Sequence, residues 1–374
     1  MKDIMGLIYT GDNDSQLREL TLSRAIAALP VIGRYRVIDF QVSSLVNSGA
    51  RNIGVITQRN YHSLMDHLGT GKEWNLNRKK DGLFILPPFL TKDNVGVYKG
   101  ILDAMYSNLG YLRRSTQEYV VMVHGNTLFS IDFSQMLEQH IKTAADITVL
   151  CTKAEKTGGE SSSRTYFNMG EDHFVTQMEV DPAVPKLPYC SLACAVVRRK
   201  LLIELIESRV NKDLYSFDTD ILLYGVRERK LRIAGYVTPV CAWYINSVQT
   251  YYELNMQALE ENVRRELFNK ERPVYTKVRD DMPTRYGEQA KASKSLIANG
   301  GKIEGTVENS IIFRGVRIQK GAVVRNCIVM QDSVIGENAE IEHCILDKQV
   351  HISSGGRLVG HITFPIVINK NMTI

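Results

Sequence analysis

A six-residue rhythm near the end of the chain constrains its fold more than any other feature. Val316, Ala322, Ile328, Val334, Leu346 and Ile352 fall on one lattice, broken only at Glu340. A second lattice runs through Ile312, Ile318, Val324 and Met330, and a third through Val323, Val329, Ile335 and Ile341. Gly315 and Gly321 keep the same step. Neither an α-helix, with period 3.6, nor a strand, with period 2, produces this spacing; a hexapeptide repeat does, and it predicts a parallel β-helix over residues 296–374. Stacked coils leave an open edge, so packing against another subunit is expected.

The first two-thirds of the chain follows a different rule. "NIGVIT" (52–57), "EYVVMVHG" (118–125), "ADITVLCT" (145–152) and "SLACAVVRR" (191–199) read as buried strands. Helical patterns such as "VSSLVNSG" (42–49) and "FSQMLEQHIKTA" (133–144) lie between them. This alternation predicts an α/β domain over residues 1–268 with a mostly parallel sheet covered on both faces. Ligands bind such sheets beyond the carboxyl ends of the strands. "YYELNMQALEENVRRELFN" (251–269) reads as one amphipathic helix, and the Pro- and charge-rich stretch after it predicts a connector over 269–295.

With 44% hydrophobic residues, 23% charged residues and a net charge of +5, the composition is that of an ordinary globular protein. Its cations do not cluster with aromatics, which argues against nucleic-acid binding. No apolar run reaches the ~20 residues that span a bilayer, and there is no secretory leader pattern. The six cysteines lack metal-ligand spacing and read as reduced, buried thiols in the cytoplasm.

The first strand, Ile4–Ile8, runs into Gly11 and the turn Asp12-Asn13-Asp14-Ser15, where many α/β proteins place glycines around a phosphate. Only one glycine is present, and two carboxylates sit where a polyphosphate would need amide donors.

"IGRYRVIDFQVSSLVNSGARNIGVITQ" (32–58) and "VENSIIFRGVRIQKGAVVRNCIVMQDSVIGENA" (307–339) resemble the ADP-glucose pyrophosphorylase (glucose-1-phosphate adenylyltransferase) family, and the resemblance covers essentially the whole chain. It implies a Rossmann-like, GT-A-like nucleotidyltransferase domain followed by a left-handed parallel β-helix. It also implies synthesis of ADP-glucose from ATP and glucose 1-phosphate, with Mg²⁺, in tetramers under metabolite control.

The same resemblance implies that the chemistry is impaired. Where the family has Gly-Gly-x-Gly-x-Arg, this chain has Gly11 to Gln16; where it has Arg-Ala-Lys-Pro, this chain has Arg24-Ala25-Ile26-Ala27. Asn126 and Tyr244 occupy the places of two metal-binding aspartates, and Asp181 that of the lysine gripping the sugar phosphate. The pattern is similar to the catalytically poor, regulatory type of subunit in that family. No cofactor is then expected on this chain, Mg²⁺ being held by a catalytic partner subunit. A hetero-tetramer with that partner is expected, or a homo-oligomer when the chain is alone.

Gly11, Asp12, Arg24, Gln58, Gly100, Asp103 and Gly125 are the candidate remnants of the nucleotide and sugar pocket. Arg36 and Asp39 read as a structural ion pair at a helix start. Arg34, Arg36, Lys99, Arg113 and Arg114 are candidate ligands for an anionic effector such as a sugar phosphate. Two other readings stay open at this stage. One is an active nucleotidyltransferase with altered metal ligands, drawn from Asp12, Asp14 and Asp103. The other is a hexapeptide acyltransferase using His343, His351 or His361.

Overall fold

The computed structural model of the protein describes residues 3–11, 15–88, 97–154, 164–238 and 240–374. The α/β half is built on a nine-stranded sheet. The strand Ile4–Tyr9 lies at its centre, parallel to Asn52–Ile56 on one side and to Tyr119–His124 on the other; Gly82–Leu86 extends it in parallel beyond Asn52–Ile56. Tyr189–Arg198 pairs antiparallel with Tyr119–His124, Ile147–Lys153 and Thr165–Met169, so the far side of the sheet is mixed. The central strands are apolar on both faces because a hydrophobic cluster covers each face. Local signals set the helix ends: the Asp132 carboxylate accepts from Ser134 N–H at 2.8 Å to start Phe133–Thr143, and Ala144 closes that helix in the left-handed conformation.

The stretch 251–269 is not one helix. It contributes to Val248–Gln257 and to Glu261–Leu267, separated by Ala258–Glu260, where Glu260 is extended. Its apolar pattern survives the break because both pieces pack on the same core, which is why periodicity alone does not reveal it.

Three five-stranded parallel sheets form the C-terminal half, the architecture of a left-handed parallel β-helix. The inward residues are Ile312, Ile318, Val324, Val329, Ile335, Ile341, Leu346 and Ile352, all fully buried. Every third step is therefore one residue short of six. The tight corners are Asn309, Asn326 and His343, each with positive φ (45°, 52° and 50°). A strict hexad lattice consequently slips by one residue per coil. Val329, not Met330, continues the Ile312 row inward, while Met330 points outward to the α/β half. The first coil also begins earlier than 296: Arg285–Tyr286 and Lys291–Ser293 are already strands stacked on the next coil.

The outward face of one β-helix sheet carries Ile311, Phe313, Ile328, Met330 and Ile345. They are buried with Ile26, Leu29, Val37, Phe40, Tyr251 and Leu254 of the α/β half in one shared core. Inside this seam the Arg24 guanidinium donates to the Asp347 carboxylate at 2.8 Å, both side chains being 3% exposed. Tyr252 O–H donates to the Asn326 carbonyl at 2.7 Å in the same seam.

Arg24→Met leaves the Asp347 carboxylate buried without its partner. It is expected to destabilise the chain by about 3–5 kcal/mol in urea-unfolding titrations. Replacing both partners by apolar residues should cost clearly less.

Candidate functional site

Beyond the carboxyl ends of Ile4–Tyr9, Asn52–Ile56 and Tyr119–His124 lie Gly11, Gln58 and Gly125, as expected for an α/β crevice. Gly11 is closely packed by Tyr9 and Gln58. A Cβ on Gly11 would lie 2.5 Å from Gln58 Oε1 and 2.6 Å from the Tyr9 hydroxyl. Tyr9 O–H donates to the Gly11 carbonyl at 3.1 Å, and Gln58 Nε2 donates to the Tyr98 carbonyl at 3.3 Å. Gly125 N–H is directed at the Tyr9 carbonyl at 2.6 Å, so it is not aimed at a phosphate. Asp12 and Asp14 lie outside the described residues. Gln16 is an exposed residue of the kinked helical segment Ser15–Thr21.

The fold does bring Asn126 and Tyr244 together. Trp243–Tyr244 pairs with Thr127–Leu128, and Ile245 N–H donates to the Asn126 carbonyl at 2.8 Å. Asn126 is 2% exposed, and its side-chain oxygen accepts no hydrogen bond from a described residue. The guanidinium of the buried Arg164 sits 5.3 Å from the Tyr244 ring centroid. The backbone of Arg164 in turn accepts from Asp181 N–H at 2.9 Å, where Asp181 adopts φ 48°. Mg²⁺ needs near-octahedral oxygen donors, carboxylates foremost. A neutral amide, a phenol and a nearby guanidinium do not fit it, and no group of three His, Cys, Asp or Glu residues that could hold a metal occurs among the described residues.

Other expected site residues lie elsewhere. Ile26 and Arg24 belong to the seam with the β-helix, not to the nucleotide cleft: Ile26 fills the shared core and Arg24 holds Asp347. At Gly100 a Cβ would meet the Tyr215 carbonyl at 2.6 Å, and the Asp103 carboxylate accepts from Lys99 N–H at 2.9 Å, at the start of Ile101–Ser107. Lys99 Nζ donates to Tyr215 O–H at 2.9 Å, Arg113 pairs with Glu207, and Arg114 closes the same short helix, Leu109–Arg114. These three cations do not line the pocket formed by Arg34 and Arg36. Nor do Arg36 and Asp39 form a side-chain ion pair. Asp39 accepts from Arg36 N–H at 2.9 Å and from the His67 ring, while the Arg36 guanidinium donates to the Ser63 carbonyl at 2.6 Å and to its hydroxyl at 2.9 Å. Of the three histidines on the β-helix, His343 bonds Tyr252 O–H at 2.9 Å, His351 is exposed at the last coil, and His361 contacts Thr363.

Arg34 and Arg36 instead line a cleft between the two halves. The hairpin Pro30–Val31/Tyr35–Arg36 presents them. It turns through Ile32 and Gly33, both with positive φ (51° and 79°). That conformation is strained for a β-branched residue, and it is held by Ile32 N–H donating to the Asn255 side chain at 3.0 Å. Opposite stand Arg314 and Lys348 of the β-helix, with Lys277 and Arg279 from the connector; Asp66 is the lining carboxylate. Burial, opposed by the Asp39 carboxylate and aided by Arg24, lowers Arg36 to about 10. Burial, reinforced by Arg36 and Arg24 and opposed by Asp347, lowers Lys348 to about 8. Burial is the main cause of both shifts, and at Lys348 the neighbouring cations add to it. Sequence reading missed Lys277, Arg279, Arg314 and Lys348. The available signal was the cationic connector, which reads as a boundary unless its docking against the seam is known.

An α/β crevice domain joined through a buried seam to a hexapeptide β-helix is the architecture of a nucleotidyltransferase with a C-terminal β-helix. The nucleotidyl transferase family model matches residues 5–259, and the GlmU-like C-terminal hexapeptide model matches residues 280–361. Over 372 residues the chain is 33% identical to the glycogen biosynthesis protein GlgD of Bacillus subtilis (strain 168), covering 99% of this chain and 96% of that one. Over 357 residues it is 30% identical to the glucose-1-phosphate adenylyltransferase of Bacillus anthracis and 31% identical to that of Bacillus mycoides (strain KBAB4), covering 94% of this chain and 93% of each relative. The chain belongs to the glucose-1-phosphate adenylyltransferase, or ADP-glucose pyrophosphorylase, family. No helix among the described residues is long and apolar enough to cross a membrane.

Restoring both carboxylates, Asn126→Asp with Tyr244→Asp, is expected to leave ADP-glucose synthesis unchanged, because Ile26 and Asp181 still stand where the family resemblance places cations. Pyrophosphate release in the presence of Mg²⁺ measures this. A gain beyond about tenfold, or ~1.4 kcal/mol of barrier, would show that metal ligation alone limits the cleft.

Proposed function

We propose that this chain is a regulatory, catalytically impaired subunit of ADP-glucose pyrophosphorylase. It assembles with a catalytic subunit that converts ATP and glucose 1-phosphate to ADP-glucose and pyrophosphate, in a hetero-tetramer, in the cytoplasm. The observation that carries this reading is the absence of the family's metal carboxylates and phosphate-gripping lysine beside an intact framework. Asn126 and Tyr244 stand where the family resemblance places metal ligands and Asp181 where it places the lysine, yet the surrounding sheet, seam and β-helix keep the family's architecture. The likeness to the glycogen biosynthesis protein of Bacillus subtilis supports the same reading.

A role in regulation also needs a place to receive a signal. The cleft at the seam is that place in our reading, with an anionic effector such as a sugar phosphate as its ligand. Arg34, Arg36, Lys277, Arg279, Arg314 and Lys348 line it from both halves, against Asp66. Guanidinium groups bind phosphate oxygens bidentately. An anion held between the hairpin and the β-helix stabilises one relative setting of the two halves, and a subunit interface can sense that setting.

Two measurements test the reading. The purified chain alone should form ADP-glucose far more slowly than its mixture with a catalytic subunit, and equal turnover would contradict the proposal. In the second, Arg314→Gln should weaken calorimetrically measured sugar-phosphate binding by about 1.5–3 kcal/mol, the worth of a hydrogen bond to a charged group. Unchanged affinity would remove the seam cleft as the effector site.

A further inference from the structure

Lys348 differs from Arg36 and Arg314, which share the seam cleft with it. Arg36 is tied to Ser63, and Arg314 lies 3.5 Å from the Asp281 carboxylate, whereas the Lys348 side-chain amine makes no hydrogen bond or ion pair to a described residue. Its backbone is fixed, because Lys348 N–H donates to the Asp347 side chain at 2.7 Å, and Asp347 is itself locked onto Arg24 in the buried seam. The amine is thus a partly buried group on a rigid base, facing a cleft whose other cations are arginines and a lysine. Burial beside Arg36 and Arg24 keeps a large share of it neutral near pH 8, and a neutral amine is a nucleophile.

We propose that Lys348 is a site of acylation by small acyl phosphates, whose phosphate end the arginines of the seam cleft hold while the Lys348 amine takes the acyl group. The inference rests on the anion-binding reading of this cleft and adds a covalent step to it. The Nζ lone pair attacks the carbonyl carbon of the acyl phosphate. The new C–N bond forms as the C–O bond to the phosphate oxygen breaks, and inorganic phosphate departs with the electron pair and takes up the amine's proton. No oxidant, metal or further reactant is required. Arg36 and Arg314 favour the step twice, by placing the carbonyl next to the amine and by stabilising the charge on the leaving phosphate. The product amide carries no charge, so acylation deletes one cation and fills part of the cleft. The modified subunit should then bind anionic effectors less well.

The experiment incubates the full-length protein with acetyl phosphate and follows each lysine by peptide mass spectrometry. Lys348 should be acetylated on the order of tenfold faster than the exposed Lys142 and Lys320 of the same chain, given its larger neutral fraction. Inorganic phosphate in excess should slow Lys348 and leave Lys142 and Lys320 unaffected. An acyl thioester at the same concentration should not reproduce the preference. Labelling of Lys348 at the rate of Lys142, insensitivity to phosphate, or equal labelling by the thioester each overturns the proposal. Calorimetry with inorganic phosphate on the same preparation separates the two levels. Phosphate binding without selective acylation refutes the covalent step and keeps the anion site, whereas no phosphate binding refutes both. Because the decisive comparisons use the unmutated protein, misfolding of a variant cannot mimic either result.

Discussion

The seam between the two halves is the contact on which the rest of the molecule depends. A β-helix sheet can expose polar residues outward along its whole length. Here one outward face is apolar, with Ile311, Ile328 and Ile345 stacked one above another, and it must be covered. The hairpin and helices of the α/β half cover it, and Arg24 reaches through to Asp347. A buried charge pair contributes little net stability, but it fixes geometry, since any other register leaves both charges buried and unpaired. The hairpin that carries Arg34 and Arg36 is thereby held against the coil that carries Lys348, and the cationic cleft follows from the docking itself.

Ile26 shows how function and packing have diverged at this seam. The family resemblance reads it as a lost lysine. In the fold it is a core residue, buried with Leu29 and Phe313. At the nucleotide crevice polar and aromatic groups contact one another. Tyr9 and Gln58 pack against Gly11, and Arg164 lies over Tyr244.

Much of this architecture was legible in the sequence. Strand–helix alternation and the hexapeptide rhythm are consequences of side-chain periodicity, which survives without knowledge of contacts. What periodicity could not show is the short corner at Asn309, Asn326 and His343, where a left-handed residue replaces one lattice step and shifts the rows. The break at Ala258–Glu260 was hidden for a similar reason, since both helices face one core. Site residues were legible only in part. Asn126 and Tyr244 lie on neighbouring paired segments. Arg36 and Asp39, three apart at a helix start, look like an ion pair, but Asp39 caps the backbone and the two side chains have separate partners. The cleft itself unites a hairpin, a connector and three coils of the β-helix, far apart in the chain, and no local pattern encodes that meeting.

In the proposed reading, ligands bind at the seam and not in the crevice. Its most direct test is an electron-density map of the isolated chain after soaking in Mg²⁺, ATP and a sugar phosphate together. The account predicts phosphate density between Arg36, Arg314 and Lys348, with Tyr9 and Gln58 unmoved and no triphosphate before Gly11. Ordered ATP beside Gly11 with a metal on Asn126, and nothing at the seam, would contradict it.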